Sequence, residues 1–254
     1  MDLKDKTVVV TGAANGIGRA LCTAFAAQGA NAIACVDIDA EGVNILSNGI
    51  NVLPFIADVT HEDQIAQLIA DVEDRLGPID LFCSNAGVFA PGGAEAADAD
   101  WQRLWEVNVM AHVWAARHMV PRMIARGGGY LLNTASAAGL LNQIGSAPYG
   151  VTKHAAVGLA EWLAMTHGDA GIKVSVLCPQ AVRTAMIAGF EDGVASIDGL
   201  LEPEQIATAC IDAIRSETFL VLPHPDVLEY MRHKAADYDR WIGGMRKLNR
   251  VYST

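Results

Sequence analysis

The sequence predicts a doubly wound α/β fold: one seven-stranded parallel sheet with helices on both faces. Three observations carry this. Short runs rich in Val, Ile and Leu recur along the chain with helix-length segments between them. The runs lack period-2 alternation, so both faces of each strand are buried, as in parallel sheets joined by helical crossovers. With 52% hydrophobic against 19% charged residues, a chain of 254 residues has the apolar material for a full core. One domain over 1–254 is expected, since no internal repeat and no linker divides the chain.

The expected strands are, in order, "TVVVTG" (7–12), "NAIACVD" (31–37), "NVLPFIAD" (51–58), "IDLFCSNAG" (79–87), "GYLLNTAS" (129–136), "IKVSVLCP" (172–179) and "TFLVLP" (218–223). Helices are expected over 17–28, 61–76, 100–126 with a break at Pro121, 148–167 and 203–215. Thr60 before "HEDQ", and Pro203 with Glu204 beside it, are start signals for two of them. Two regions depart from this rhythm. Residues 184–202 mix apolar side chains with Gly189, Gly193 and Gly199, as a covering lid would. In the extension over 225–254, Val227, Met231, Ala235, Tyr238, Trp241, Ile242, Met245 and Leu248 recur mostly every three or four residues. They predict an amphipathic helix interrupted near Gly243 and Gly244, docked on this subunit or a neighbour.

A net charge of -11 and a pI near 5.0 exclude nucleic acid as a main partner, because phosphate binding needs clustered Lys and Arg. The tail carries a modest basic excess, mixed in sign, that reads as a solvated helix face. Five scattered cysteines without a C-x-x-C pair read as reduced thiols. No signal-peptide pattern and no apolar run of membrane-span length is present, so a soluble cytoplasmic protein is expected.

The first strand runs into "TGAANGIG", in which Gly12, Gly16 and Gly18 bracket the turn into a helix. Such a turn lets backbone approach a pyrophosphate, whose charge the free N–H groups and dipole of the helix start would favour. Alone it also fits a plain strand-to-helix turn. Asp37, nineteen residues after Gly18, ends the second strand, where a carboxylate can accept hydrogen bonds from both ribose hydroxyls of an adenosine. It would repel the 2′-phosphate of NADP, and neither Asn15 nor Ile38 offers an offsetting cation, so NAD is favoured. Asp37 also fits a solvated residue opening the turn "DIDAEG". Asp58 and Val59 follow the third strand, where they could flank the adenine, and "SNAG" follows the fourth.

T-G-x-x-x-G-I-G at Thr11 to Gly18, N-A-G at Asn85 to Gly87, Asn108, Ser136 and Y-x-x-x-K at Tyr149 to Lys153 together resemble the short-chain dehydrogenase/reductase family. The resemblance runs over about residues 4–222 and implies a Rossmann-type α/β/α sandwich that interconverts an alcohol and a carbonyl with NAD(H). Carried over by position, it makes Tyr149 the general acid/base, Ser136 the holder of the substrate oxygen and Lys153 the ligand of the nicotinamide ribose. Asn108 would support a water-linked proton relay. Gly12, Asn15, Gly16, Ile17, Gly18, Asp37, Ile38, Asp58 and Val59 become candidate cofactor contacts, with Asn85, Ala86 and Gly87 in the groove. Pro179, Val182 and Thr184 match the family's carboxamide contacts. Singly, each catalytic candidate has a plain structural alternative; it is their joint occurrence, in order, that is specific.

The chemistry asks for these residue types. Hydride leaves the carbinol carbon only as the oxygen gives up its proton, and a tyrosine of pKa about 10 is a poor base at neutral pH. An ammonium ~4 Å away, at an effective dielectric of ~20, stabilises the phenolate by about 4 kcal/mol before desolvation. At ~1.4 kcal/mol per unit, Lys153 with a positive nicotinamide is expected to lower the Tyr149 pKa by roughly two units.

Positions resembling the family's substrate walls are Phe89, Leu140, Leu141, Gln143, Gln180, Met186, Ile187 and Phe190. They are mostly apolar, so a hydrophobic secondary alcohol or its ketone is expected. Gln180 stands where P-G is frequent, and Ser84 where a second Asn is frequent. Arg183 is read as a structural contact more than an anchor for an acid. His154 and His167 read as ordinary helix residues, and no metal is expected. Two alternatives stand beside the dehydrogenase: a reductase running mainly from NADH to the carbonyl, and a dinucleotide-binding sensor or assembly protein without turnover. The family commonly forms tetramers through the tyrosine-bearing helix. In "HAAVGLAEWLAM" the residues Val157, Leu159, Trp162 and Leu163 suggest an extra apolar face, and a homotetramer is expected.

Overall fold

The computed structural model describes residues 1–46 and 51–252. The last two residues of the expected extension, Ser253 and Thr254, lie outside them. Seven strands form one parallel sheet: β1 (Thr7–Thr11), β2 (Ala32–Asp37), β3 (Val52–Ile56), β4 (Leu81–Ser84), β5 (Gly129–Thr134), β6 (Ile172–Leu177) and β7 (Leu220–Val221). Their order is β3-β2-β1-β4-β5-β6-β7, and every pairing is parallel. Strand order therefore reverses between β1 and β4, which opens a crevice at their carboxyl ends. Pro54 sits in β3 without disrupting the sheet because β3 is an edge strand.

The helices are α1 (Gly16–Ala27), α2 (Ala40–Leu46), α3 (Glu62–Leu76), α4 (Asp98–Trp105), α5 (Ala111–Ala125), α6 (Ala138–Leu141), α7 (Ala147–His167), α8 (Pro203–Ser216), α9 (Asp226–Ala236) and α10 (Tyr238–Tyr252). Side chains alternate between two cores, as expected of strands buried on both faces. Val9 and Phe82 face α3, α5 and α7, whereas Val8, Val10 and Cys83 face α1 and α8. The expected sandwich is what the chain forms.

Three helix expectations are corrected. The 100–126 helix is interrupted not at Pro121 but at a π turn, Glu106–Met110, between α4 and α5. There the amide of Ala111 reaches back to the carbonyl of Glu106. Pro121 stays inside α5 because it and Arg117, whose carbonyl loses its partner, are both on the exposed face. The tail breaks at Asp237, not at Gly243 and Gly244. Asp237 is extended (φ −155°), and its carboxylate accepts from the Arg240 amide at 2.9 Å, so it starts α10 as its cap. Thr60 does not cap α3, because its hydroxyl and amide both go to Asp58.

Candidate active site

The crevice begins at the glycine turn. Gly12 has φ +66°, a left-handed conformation natural only to glycine, and a Cβ on Gly18 would stand 2.1 Å from the Gly12 carbonyl oxygen. The turn thus closes tightly enough to put the start of α1 at the crevice, with Asn15, Gly16 and Ile17 in its wall. No side-chain cap and no acidic residue occupies the first turn of α1, so its free N–H groups suit an anion. At the end of β2 the Asp37 carboxylate accepts from the amides of Ala14 (3.0 Å) and Asp39 (3.1 Å), which fixes its direction at the cavity wall. These groups fit the pyrophosphate and adenosine ribose of a dinucleotide.

Thr11 and Asn85 tie β1 to β4. The Thr11 hydroxyl accepts from the amides of Asn85 (2.9 Å) and Ala86 (3.1 Å), and the Asn85 side chain donates to the Thr11 carbonyl at 3.0 Å. Thr134, at the end of β5, donates to Asn85 Oδ1 at 3.1 Å, and its carbonyl accepts from Lys153 Nζ at 3.1 Å. The sequence pattern contained no signal for Thr134, although it joins the cofactor groove to the catalytic lysine.

Asn108, Ser136, Tyr149 and Lys153 meet at the other end of the crevice. Asn108 is fully buried in the π turn: Oδ1 accepts from the Val88 amide (2.9 Å), and Nδ2 donates to the Val88 carbonyl (3.0 Å) and the Thr152 hydroxyl (3.2 Å). A Cβ on Gly87 would lie 3.4 Å from both Asn108 Oδ1 and Lys153 Nζ, which shows how closely the three approach. Tyr149 lies in the first turn of α7, where Ser146 caps the helix by accepting the Tyr149 amide (3.2 Å) and donates to the Ala90 carbonyl (2.6 Å). Lys153 follows one turn later, its Nζ 5.6 Å from the centre of the tyrosine ring. Ser136 Oγ accepts from the Ala138 amide at 3.1 Å.

Burial pushes the Tyr149 hydroxyl above its usual pKa, opposed by the neighbouring Ser136 side chain. Burial also brings the Lys153 ammonium down to about 8. In the protein alone desolvation governs both groups, whereas the lowering expected of Tyr149 draws on Lys153 together with a bound positive nicotinamide.

A cavity of about 980 Å³ runs from Asp37 past Tyr149 to the C-terminal helix. Among the expected cofactor positions, Gly12, Asn15, Gly16, Ile17, Asp37, Asn85, Ala86, Gly87, Pro179, Val182 and Thr184 line it together with Tyr149 and Lys153. Gly18, Ile38, Asp58 and Val59 do not. Gly18 packs under Gly12, Ile38 points to solvent, Asp58 is taken by Thr60 and His61, and Val59 is buried in the core. Of the expected substrate positions Phe89, Leu141, Gln143, Gln180, Met186, Ile187 and Phe190 line the cavity; Leu140 instead packs against the core under α9. Phe89 stands edge-on to both Tyr149 (5.4 Å) and Phe190 (5.7 Å), an apolar wall beside the hydroxyl.

Gln180 is held by two groups, one of them braced by a third. Its Nε2 donates to Asp198 (2.8 Å), its amide donates to His224 Nδ1 (3.2 Å), and Asp198 also accepts from the Tyr230 hydroxyl (2.9 Å). Asp198, His224 and Tyr230 were missed, since nothing in their spacing links them. Arg183 pairs with Glu202 at 2.7 Å and does not line the cavity. His154 bonds the Gly150 carbonyl within its own helix, and burial pushes the Cys178 thiol up to about 12.

A family model described as short chain dehydrogenase matches residues 6–194. The 1-deoxy-11-beta-hydroxypentalenate dehydrogenase of Streptomyces exfoliatus is 36% identical over 252 residues, covering 95% of this chain and 91% of that protein. The meso-2,3-butanediol dehydrogenase of Serratia marcescens is 30% identical over 218 residues, covering 82% and 86%. A short-chain dehydrogenase/reductase from Burkholderia phymatum, solved in complex with NAD, superposes with a TM-score of 0.86 at 29% identity, covering 94% of this chain and 96% of that one. The chain belongs to the short-chain dehydrogenase/reductase family. It is an oxidoreductase of CH–OH groups that works with a nicotinamide dinucleotide on a small molecule.

Proposed function

We propose that the protein interconverts a hydrophobic secondary alcohol and its ketone with NAD(H), the chain over 1–254 acting as one cytoplasmic unit and assembling as a homotetramer. The observation that carries this is the meeting of Ser136, Tyr149, Lys153 and Asn108 at one end of a crevice whose other end holds the glycine turn and Asp37. Bound nicotinamide supplies the hydride acceptor at C4, or the donor in reverse.

The chain's own groups do the proton work. Ser136 Oγ holds the substrate oxygen and Tyr149 takes its proton as the carbinol C–H bond breaks, leaving a carbonyl. Lys153, charged below its pKa of about 8, favours the phenolate that takes this proton; the proton then leaves towards Asn108 and solvent by way of the ammonium, which gives up one proton as it gains one. The Thr134 carbonyl holds the ammonium in place. Asp37 accepts from the ribose hydroxyls and repels a 2′-phosphate, which favours NAD over NADP. The phenyl groups of Phe89 and Phe190 exclude water from the reacting carbon.

The test is a spectrophotometric screen of secondary alcohols with NAD and with NADP. Turnover with NAD at least tenfold more efficient than with NADP is expected, and Tyr149→Phe should abolish it while NADH still binds. Substantial residual oxidation by Tyr149→Phe would remove the role given to that residue, and a preference for NADP would remove the role given to Asp37.

A further inference from the structure

We propose that α9 and α10 form the far wall of the substrate chamber, and that the alcohol they select carries a long or multi-ring apolar body. This rests on the oxidoreductase reading above and adds the substrate class. The family model ends at residue 194, before α9 and α10.

α9 is anchored on two sides. Val227 is fully buried against Ala137 and Leu141, next to Ser136, and Lys234 Nζ donates to the Leu140 carbonyl at 2.6 Å. Tyr230, through Asp198, joins α9 to the 184–202 segment and to Gln180. α10 follows after the break at Asp237, with the Trp241 ring 6.5 Å from that of Tyr230. None of its residues is buried, yet it is amphipathic: Trp241, Met245, Leu248 and Tyr252 form one stripe, whereas Ile242 and the charged Arg246 and Lys247 lie off it. That stripe lines the same cavity as Ser136 and Tyr149, and Gly244, lacking a side chain, leaves room between Trp241 and Leu248. An apolar stripe that faces an open chamber calls for an apolar occupant. The cavity's continuity with the catalytic hydroxyls makes that occupant the body of the substrate.

Linear 2-alkanols from 2-butanol to 2-decanol serve as probes. Each buried methylene is worth about fourfold in kcat/KM, so the full chain should rise steeply with length. Trp241→Ala and Leu248→Ala are expected to fold normally, since neither side chain is buried. They should lower kcat/KM for 2-decanol at least tenfold more than for 2-butanol. Equal losses on both alcohols, or no rise with length in the full chain, would overturn the wall; the second is also what a neighbouring subunit covering the stripe would produce. Binding of 2-decanone to the NADH complex, read by nicotinamide fluorescence, separates this from the reaction. If no alcohol is oxidised, the proposed function falls, while tenfold weaker decanone binding in Trp241→Ala still upholds the wall and unchanged binding removes it.

Discussion

Lys153 concentrates the energetic tension of the site. It is 2% exposed and holds a charge whose hydrogen-bond acceptor is the Thr134 carbonyl. Its pKa falls from 10.5 to about 8, a difference of roughly 3 kcal/mol at ~1.4 kcal/mol per unit. Below pH 8 both folded and unfolded chains are protonated there, and the folded one bears the full cost of the buried cation. Between pH 8 and 10.5 the folded chain has released the proton and the unfolded one has not, so stability rises with pH. Lys153→Met is therefore expected to be inactive but more stable by about 2–3 kcal/mol at pH 7 without cofactor, a gain that should vanish by pH 10.5 in denaturant titrations. A gain independent of pH would point to packing instead of charge.

Helix ends decide how the cover of the cleft is held. α8 begins with Pro203 at its first position and a reciprocal cap, in which Glu202 accepts from the Gln205 amide and the Gln205 side chain accepts from the Glu202 amide at 2.8 Å. The 184–202 segment is tethered at this cap, through the Arg183–Glu202 pair, and at Asp198. Glu202→Ala should cost about 1 kcal/mol, a fall of about 2–4 °C in thermal midpoint. Arg183→Met should change it little, because the pair is exposed. An equal fall in both variants would mean that the ion pair, and not the cap, holds the segment.

At the scale of the whole molecule, some of the apolar side chains left outside the cores lie on α4 and α7. Trp105, Val151, Trp162 and Met165 are all exposed, Met165 by 77%. This corrects the face expected for assembly: Val157 and Leu163 are core residues, and the outward face is made by Val151, Trp162 and Met165. Trp162→Glu together with Met165→Glu should convert a tetramer to smaller species in sedimentation velocity, since both side chains are exposed on α7 in the single chain. Tetramers surviving both changes would place the interface elsewhere.

The sheet, the glycine turn, Asp37 and the Tyr149–Lys153 pair were legible in the amino-acid sequence because their signals are local, whereas Ser136 entered through the family resemblance. Uninterrupted apolar runs mark doubly covered strands, glycines mark a turn that must close, and a spacing of four puts two side chains on one helix face. Thr134, Asp198, His224 and Tyr230 were not legible, because each acts through a partner distant in sequence. For the same reason the sequence could place neither the π turn at Asn108 nor the break at Asp237: both depend on what the backbone groups meet in the folded chain. The tail shows the difference most plainly. Its amphipathic period follows from the residues alone, since side-chain geometry on a helix is local. Which surface the apolar stripe meets is decided by tertiary structure, where Tyr230, Lys234 and Val227 hold α9 against the active-site side of the sheet and aim α10 across the chamber.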